Sequence, residues 1–177
     1  MIGDSIVLAI AHGFFAHAVL GAMMVLFVAT WPSHQSTPAT PDESGRIVAP
    51  RFVAALLLQL VFGAVYRHLN GRDDVPTGLI HASLGMHIIF ALVVMALAII
   101  TGSRAMHCGR PCMKFVGLSL HVTVTLQVCF GIGAIALILS RKGDTPPALE
   151  VVVTSIHHAI AALLMALGAT FAAWARR

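Results

Sequence analysis

The sequence predicts an all-α integral membrane protein in which five transmembrane helices form a single domain over residues 1–177. Hydrophobic residues make up 58% of the chain and charged residues only 10%, whereas a soluble domain carries roughly 25% charged residues. A helix needs about 20 apolar residues to cross the hydrocarbon core of a bilayer, and five stretches of the chain reach that length. The lipid bilayer is therefore the first expected partner.

Each predicted helix follows one apolar stretch. The predicted helices are 5–31, 47–66, 78–101, 115–139 and 151–174. The second contains Arg51 near its start, where a long side chain can reach the membrane interface. The connecting loops are 32–45, which is rich in Ser, Thr and Pro, and 67–77, 102–114 and 140–150. Because these connections are short, we expect successive helices to be antiparallel neighbours.

The basic residues indicate orientation rather than a nucleic-acid partner. The net charge is +4, but the Lys and Arg residues lie at helix ends instead of on one face, so we expect no nucleic acid to bind. The five predicted helices place seven basic residues on one side of the membrane: Arg46, Arg51, Arg104, Arg110, Lys114, Arg176 and Arg177. They place four on the other side: Arg67, Arg72, Arg141 and Lys142. Cytoplasmic loops carry the excess of basic residues. We therefore expect an outside N-terminus and a cytoplasmic C-terminus, in a bacterial cytoplasmic membrane.

Histidines inside the apolar stretches indicate a cofactor. Ionisable residues are rare in membrane helices and usually face a bundle interior or a functional site, and histidine is a common axial ligand of haem iron. Seven histidines lie in the predicted helices: His12, His17, His81, His87, His121, His157 and His158. All but His121 fall in the outer half of the predicted membrane. We infer a metal cofactor, with haem as the expected one.

Depth within the membrane selects a ligand pair. His87 lies 17 residues before Arg104, and His157 lies 19 residues before Arg176. At about 1.5 Å per residue, the two histidines fall within roughly 3 Å of the same height. We therefore predict His87 and His157, on the third and fifth helices, as the ligands of haem iron. The alternative ligands are His81, His158, His12 and His17. Any single histidine is also open to interpretation as an interhelical hydrogen-bond donor.

An internal repeat supports a cofactor site. Two helices share the pattern L-Q-x-x-F-G, which places Gln59 and Gln127 at corresponding positions. The other three carry histidine with a small residue four positions later: His17 and Gly21, His81 and Gly85, His87 and Ala91, and His157 and Ala161. Residues i and i+4 share a helix face, so a small residue leaves room for a flat macrocycle. Ordinary small-residue packing between helices is the alternative.

Arg67 and His68 close the second predicted helix at the outer surface. A guanidinium at this position suits a haem propionate, because Arg pairs with carboxylates through two parallel hydrogen bonds. The alternative is an interfacial arginine without a ligand.

Segment 58–68 resembles the haem A synthase family, which converts haem O to haem A during cytochrome oxidase assembly. The segment is similar to that family's L-Q-x-x-x-G-A-x-x-R-H at the outer end of a helix. His87 stands where the family carries a haem ligand, 126–131 is similar to the next glutamine helix, and His157 begins a segment similar to the final histidine helix. The segment that starts at His12 resembles the last helix of the family's first half.

The resemblance implies a fold and a function. Family members have eight helices in two four-helix halves, so helices two to five here correspond to one haem-binding four-helix bundle, the C-terminal one, preceded by one helix. The chain departs from the family in three places: loop 71–76 has no cysteine pair, Ile88 replaces the Arg that follows the histidine, and Leu84 replaces an acidic residue. The resemblance therefore implies a half-size or non-catalytic member that binds haem.

The implied cofactor is haem b, with haem O or haem A as substrate or product. If the chain is an enzyme, the resemblance implies an oxidoreductase of the haem A synthase type. The sequence indicates no catalytic residue. Implied partners are a second subunit or a second copy that completes an eight-helix assembly, and cytochrome oxidase assembly factors. Two alternatives stay open: a b-type membrane cytochrome that carries electrons, and a histidine-rich transporter or scaffold.

Cys108 and Cys112 form a C-x3-C pair in the predicted cytoplasmic loop. The pair is open to two interpretations, a redox or metal site and two reduced thiols of the kind usual in the cytoplasm. Of the two, the predicted cytoplasmic location favours reduced thiols.

Overall fold

The computed structural model describes residues 5–32, 43–141, 143 and 145–176. In this part of the chain all regular structure is helical. The helices are α1 (Ile6–Thr30), α2 (Glu43–Leu69), α3 (Thr77–His107), α4 (Pro111–Ser140) and α5 (Ala148–Trp174). All five are long and apolar enough to cross a membrane. The predicted five-helix membrane bundle is therefore confirmed, and the chain is an integral membrane protein.

Helices α2 to α5 form a four-helix bundle, and α1 lies outside it. Each helix of the bundle packs against the next one along the chain, and α2 also packs against α5, which closes the ring. Helix α1 contacts both α2 and α5. Because the connections are short, the starts of α1, α3 and α5 lie at the same end as the ends of α2 and α4. We call this the histidine end.

Helices α2 to α5 extend beyond the predicted stretches by about one turn or more, whereas α1 lies within its predicted stretch. Helix α2 begins at Glu43 rather than at residue 47, and α3 continues to His107 rather than ending at residue 101. These additional turns are polar, so hydropathy alone does not detect them. Pro111 is the first residue of α4, a position where proline is favoured because its missing N–H has no helical partner.

The buried core lies mainly in the half of the bundle opposite the histidine end. Phe52, Leu120, Leu164 and Phe171 are almost completely buried there, together with several alanines. In the histidine half, the buried side chains among the described residues are Tyr66, Ala134 and Glu150. Close packing therefore fixes one half of the bundle and leaves the interior of the other half less filled.

The loop between α2 and α3 contains an exposed ion pair. The guanidinium of Arg72 donates hydrogen bonds of 2.9 and 2.8 Å to the two carboxylate oxygens of Asp74. These hydrogen bonds lower the pKa of the Asp74 carboxyl. The pair stays charged at physiological pH and lies at the histidine end, outside the bundle.

Candidate functional site

Two glutamines each hold a histidine of the following helix. The Gln59 side-chain amide on α2 donates to Nδ1 of His87 on α3 over 3.1 Å and to the His87 carbonyl oxygen over 3.0 Å. The Gln127 amide on α4 donates to Nε2 of His157 on α5 over 3.1 Å. The repeated glutamine pattern in the sequence is therefore a repeated contact in the structure.

The glycine four residues after each glutamine makes room for the same histidine. A Cβ atom added to Gly63 would lie 2.9 Å from Cε1 of His87, and one added to Gly131 would lie 3.1 Å from Cε1 of His157. Since residues i and i+4 share a helix face, glutamine and glycine contact one ring together. We call these groups the first histidine contact (Gln59, Gly63, His87) and the second histidine contact (Gln127, Gly131, His157).

This arrangement differs from the predicted role of the small residues. The sequence analysis assigned room for a macrocycle to the small residue one turn after each histidine. A Cβ added to Gly85 would meet nothing within 4 Å, and one added to Gly21 would meet Sδ of Met165 at 3.4 Å. The glycines that accommodate histidine rings lie instead on the preceding helix, because the position of a ring depends on the neighbouring helix as well as on its own.

His87 and His157 are both half-buried in the histidine half of the bundle. They lie on α3 and α5, which do not follow one another in the ring, and the two rings are within electrostatic range of each other. Each glutamine engages one ring nitrogen, which leaves Nε2 of His87 and Nδ1 of His157 outside these contacts. Nδ1 of His157 is buried and has no hydrogen-bond partner within the described residues. Either nitrogen of a neutral imidazole can ligate a metal.

Arg67 contacts His158 rather than solvent alone. One guanidinium N–H donates to Nε2 of His158 over 2.9 Å, so this nitrogen is engaged. The rings of His158 and His157 are 6.3 Å apart between centroids. The structure therefore brings Arg67 next to the second histidine contact and gives His158, an alternative ligand in the sequence analysis, a role as the acceptor for that guanidinium.

The other candidate histidines near this end differ in their burial. His17 on α1 is half-buried; its Nδ1 donates to the Gly13 carbonyl over 2.9 Å, and it lies within electrostatic range of His158. His68 is half-buried at the end of α2, whereas His12 and His81 are exposed on the faces of α1 and α3. The alternative ligands of the sequence analysis thus differ in burial, and their role in binding a metal stays a prediction.

His121 lies at the opposite end of the bundle and has partners for both ring nitrogens. Nδ1 donates to the Gly117 carbonyl over 2.8 Å, and Nε2 lies 3.4 Å from the Ser103 hydroxyl on α3. A Cβ added to Gly102 would lie 2.7 Å from the ring. These contacts agree with the interpretation of His121 as an interhelical hydrogen-bonding residue.

The cysteines are free thiols. Cys108 is half-buried and donates from Sγ to the Ala105 carbonyl over 3.2 Å, while Cys112 and Cys129 are exposed. Among the residues that the structure describes, no group of three or more His, Cys, Asp or Glu side chains could hold a metal ion. A haem needs only two protein ligands, because the porphyrin supplies the other four.

A cavity of about 290 Å³ lies away from the histidine contacts, between α1, α2 and α5. Small side chains such as Gly21, Ala54 and Ala169 line it, and no residue of either histidine contact does. The cavity and the two histidine contacts are therefore separate features of the bundle.

Sequence reasoning missed a buried ion pair at the histidine end. Arg141 at the end of α4 donates to Glu150 in the first turn of α5 over 3.0 Å. Both residues were assigned to a loop, and the sequence carries no signal that a loop charge will be buried.

Comparison with known proteins identifies no relative: the chain matches no protein-family model, no curated protein and no solved structure.

Proposed function

We propose that the protein binds haem between α3 and α5 and acts in haem A formation or cytochrome oxidase assembly, as a half-size relative of the haem A synthase family. The observation that carries the proposal is the pair of histidine contacts. Two imidazoles on different helices of one bundle are each held by a glutamine at one nitrogen, and their second nitrogens stay outside those contacts.

The residues fit a haem with two histidine ligands. A ligating histidine normally donates its second ring N–H to an acceptor, which fixes the ring orientation. Gln59 and Gln127 lie at that nitrogen of each ring. Their side-chain oxygens are buried without a partner in the described part of the chain, and with the amide turned over they would accept this N–H when the ring ligates iron. The buried, unpartnered Nδ1 of His157 is unusual, because buried polar atoms nearly always have a partner. Arg67 adds a guanidinium for a propionate, and His68 lies beside it. When bound, haem supplies one-electron chemistry at iron.

The proposed activity is that of an oxidoreductase that converts haem O to haem A by oxidising a methyl group. His87 and His157 would hold a resident haem b, and Arg67 would orient it by pairing with a propionate. A second copy of the chain or a second subunit would complete the assembly that the family builds from eight helices. Assembly factors of cytochrome oxidase are the proposed partners of that assembly.

The alternatives receive less support from the contacts. An electron carrier that spans the bilayer would benefit from a second ligand pair at the opposite end, where both nitrogens of His121 have partners. A transporter or scaffold would not require the Gln-x3-Gly arrangement at both histidines.

Analysis of extracted haems tests the proposed activity. Bacteria that make haem O but lack haem A synthase would express the wild-type chain, the double variant His87→Ala/His157→Ala, or neither. We expect haem A or hydroxylated haem O only with the wild-type chain. Unchanged haem O in all three would contradict the activity, while haem bound to the purified wild-type chain would still support cofactor binding.

We also propose the orientation derived from the basic residues, with the N-terminus outside and the C-terminus in the cytoplasm. Lys142 and Arg177 lie outside the described residues, and the other basic residues of that analysis lie near helix ends. Exposed Cys112, in the first turn of α4, would then face the cytoplasm. In a Cys129→Ser variant, a membrane-impermeant thiol reagent should label Cys112 only after the cells are opened. Labelling of intact cells would reverse the orientation.

A further inference from the structure

Arg141 and Glu150 form an ion pair at the histidine end in which Glu150 is buried and Arg141 is half-buried. The side chains of Arg141 and Glu150 are 17% and 7% exposed, and their nearest N and O atoms are 3.0 Å apart. The second carboxylate oxygen of Glu150, Oε2, is buried without a hydrogen-bond partner in the described part of the chain. Burial of two charges costs desolvation energy that their attraction often does not recover. Stability alone is therefore a weak explanation for this pair.

The pair lies above the second histidine contact along α5. Glu150 precedes His157 by seven residues, which is two helical turns, or about 10 Å toward the end of the bundle on the same helix face. Tyr66 is buried and lies within electrostatic range of both Arg141 and Glu150, and it directly precedes Arg67. The guanidiniums of Arg67 and Arg141 thus come from α2 and α4, the two bundle helices that do not carry the proposed ligands.

We propose that Arg141 is a second carboxylate-binding residue of the site, which pairs with one porphyrin propionate while Arg67 pairs with the other. The inference rests on the proposed function, because it assumes that haem binds at His87 and His157. A porphyrin of the haem type carries two propionates, and the site offers two guanidiniums at one end. A guanidinium has five N–H donors, of which the contact with Glu150 uses one. Glu150 positions Arg141, and the remaining donors serve the ligand.

Two ligands that differ only in their carboxylates test the assignment. Protein purified without haem would be titrated in detergent with iron protoporphyrin and with its dimethyl ester, which lacks the carboxylate charges. We expect Arg141→Gln to weaken binding of the free acid by about tenfold or more, since hydrogen bonds to charged groups are the strong ones, and to leave ester binding unchanged. Arg72→Gln is the matched control, because it removes the same charge from an exposed pair at the same end. It should change neither affinity.

Glu150→Gln should change the affinity for the free acid in the opposite direction to Arg141→Gln. The amide oxygen of glutamine still accepts from Arg141, while the negative charge that repels an incoming carboxylate is removed. We expect tighter binding of the free acid and unchanged binding of the ester. Circular dichroism of each variant would establish that the helices form.

Three results would overturn the inference. If Arg141→Gln and Glu150→Gln alter both ligands equally, the pair only joins α4 to α5. If Arg141→Gln leaves discrimination between acid and ester at the wild-type value, Arg141 does not contact the ligand. If the wild-type chain binds neither ligand, the proposed function itself fails and the inference falls with it.

Discussion

Gln59 on α2 donates its side-chain amide N–H to Nδ1 of His87 on α3 over 3.1 Å. The contact joins two helices in the histidine half of the bundle and fixes one nitrogen of the ring. The same amide also reaches the His87 carbonyl oxygen, so the glutamine is held at two points. The corresponding contact between Gln127 and His157 repeats the arrangement on α4 and α5. Two parts of one sequence repeat thus each bring a glutamine to an imidazole of the following helix.

Gly63→Ala should disturb the first histidine contact. The new Cβ would lie 2.9 Å from Cε1 of His87, so the ring must move, and excess volume in a packed site costs about 1–3 kcal/mol. We expect loss or at least tenfold weakening of haem binding, measured by absorbance titration. Gly85→Ala is the control, because its Cβ meets nothing within 4 Å. It should bind haem normally and gain roughly 0.5–1 kcal/mol of stability, since alanine favours the helix. Equal haem affinity in the two variants would argue against the proposed site.

Gln59→Leu and Gln127→Leu should each weaken haem binding without abolishing the fold. Each removes a hydrogen bond that orients a proposed ligand, and loss of such a partner typically lowers metal affinity by about 10–100-fold. The affinity of each variant would be measured against wild type, with Gln→Glu at the same positions as a variant that offers only an acceptor, the partner that the second N–H of a ligating histidine requires. Wild-type affinity in both leucine variants would show that the glutamines do not position ligands.

His158→Leu and His157→Leu should distinguish the roles of the two neighbouring histidines of α5. Nε2 of His158 accepts from Arg67, so we expect this variant to keep the spectrum of a low-spin haem with two histidine ligands and to lose some affinity because Arg67 is no longer held. His157→Leu should lose that spectrum altogether. The reverse pattern would identify His158 as the ligand.

His121→Leu should affect stability rather than haem content. His121 joins α3 and α4 through Ser103 at the opposite end, and an interhelical hydrogen bond in a membrane protein contributes about 0.6 kcal/mol on average. We expect a small decrease in thermal stability and an unchanged ratio of haem to protein. A reduced ratio would favour a second haem at that end and thus the electron-carrier alternative.

The sequence predicted the five helices correctly, whereas His87 and His157 as ligands of haem stay a prediction. Apolar length determines which segments cross a bilayer, so the five helices followed from hydropathy. Counting from Arg104 and Arg176 selected the two histidines, and the structure places them within electrostatic range of each other. The first turn of α5, residues 148–150, was missed, because the boundary of a helix beyond its continuous apolar stretch depends on local capping and packing.

Contacts between helices were predicted less well. Gly63 and Gly131 were visible in the repeat, but their role depends on which neighbouring helix faces them. The burial of Glu150 with Arg141 was not foreseen either, since both lie near a loop and only the packing of α4 against α5 removes them from water. Periodicity describes one helix at a time, whereas the site is built between helices.

The absorption spectrum of the detergent-purified chain, oxidised and then reduced with dithionite, tests the central claim most directly. The sample would come from cells supplied with haem, with pyridine haemochrome analysis to identify the porphyrin and with His87→Ala and His157→Ala measured beside wild type. We predict a low-spin spectrum with two histidine ligands in the wild-type chain and its loss in each variant. A colourless wild-type chain after attempted reconstitution, or a spectrum that survives both substitutions, would contradict the proposed site.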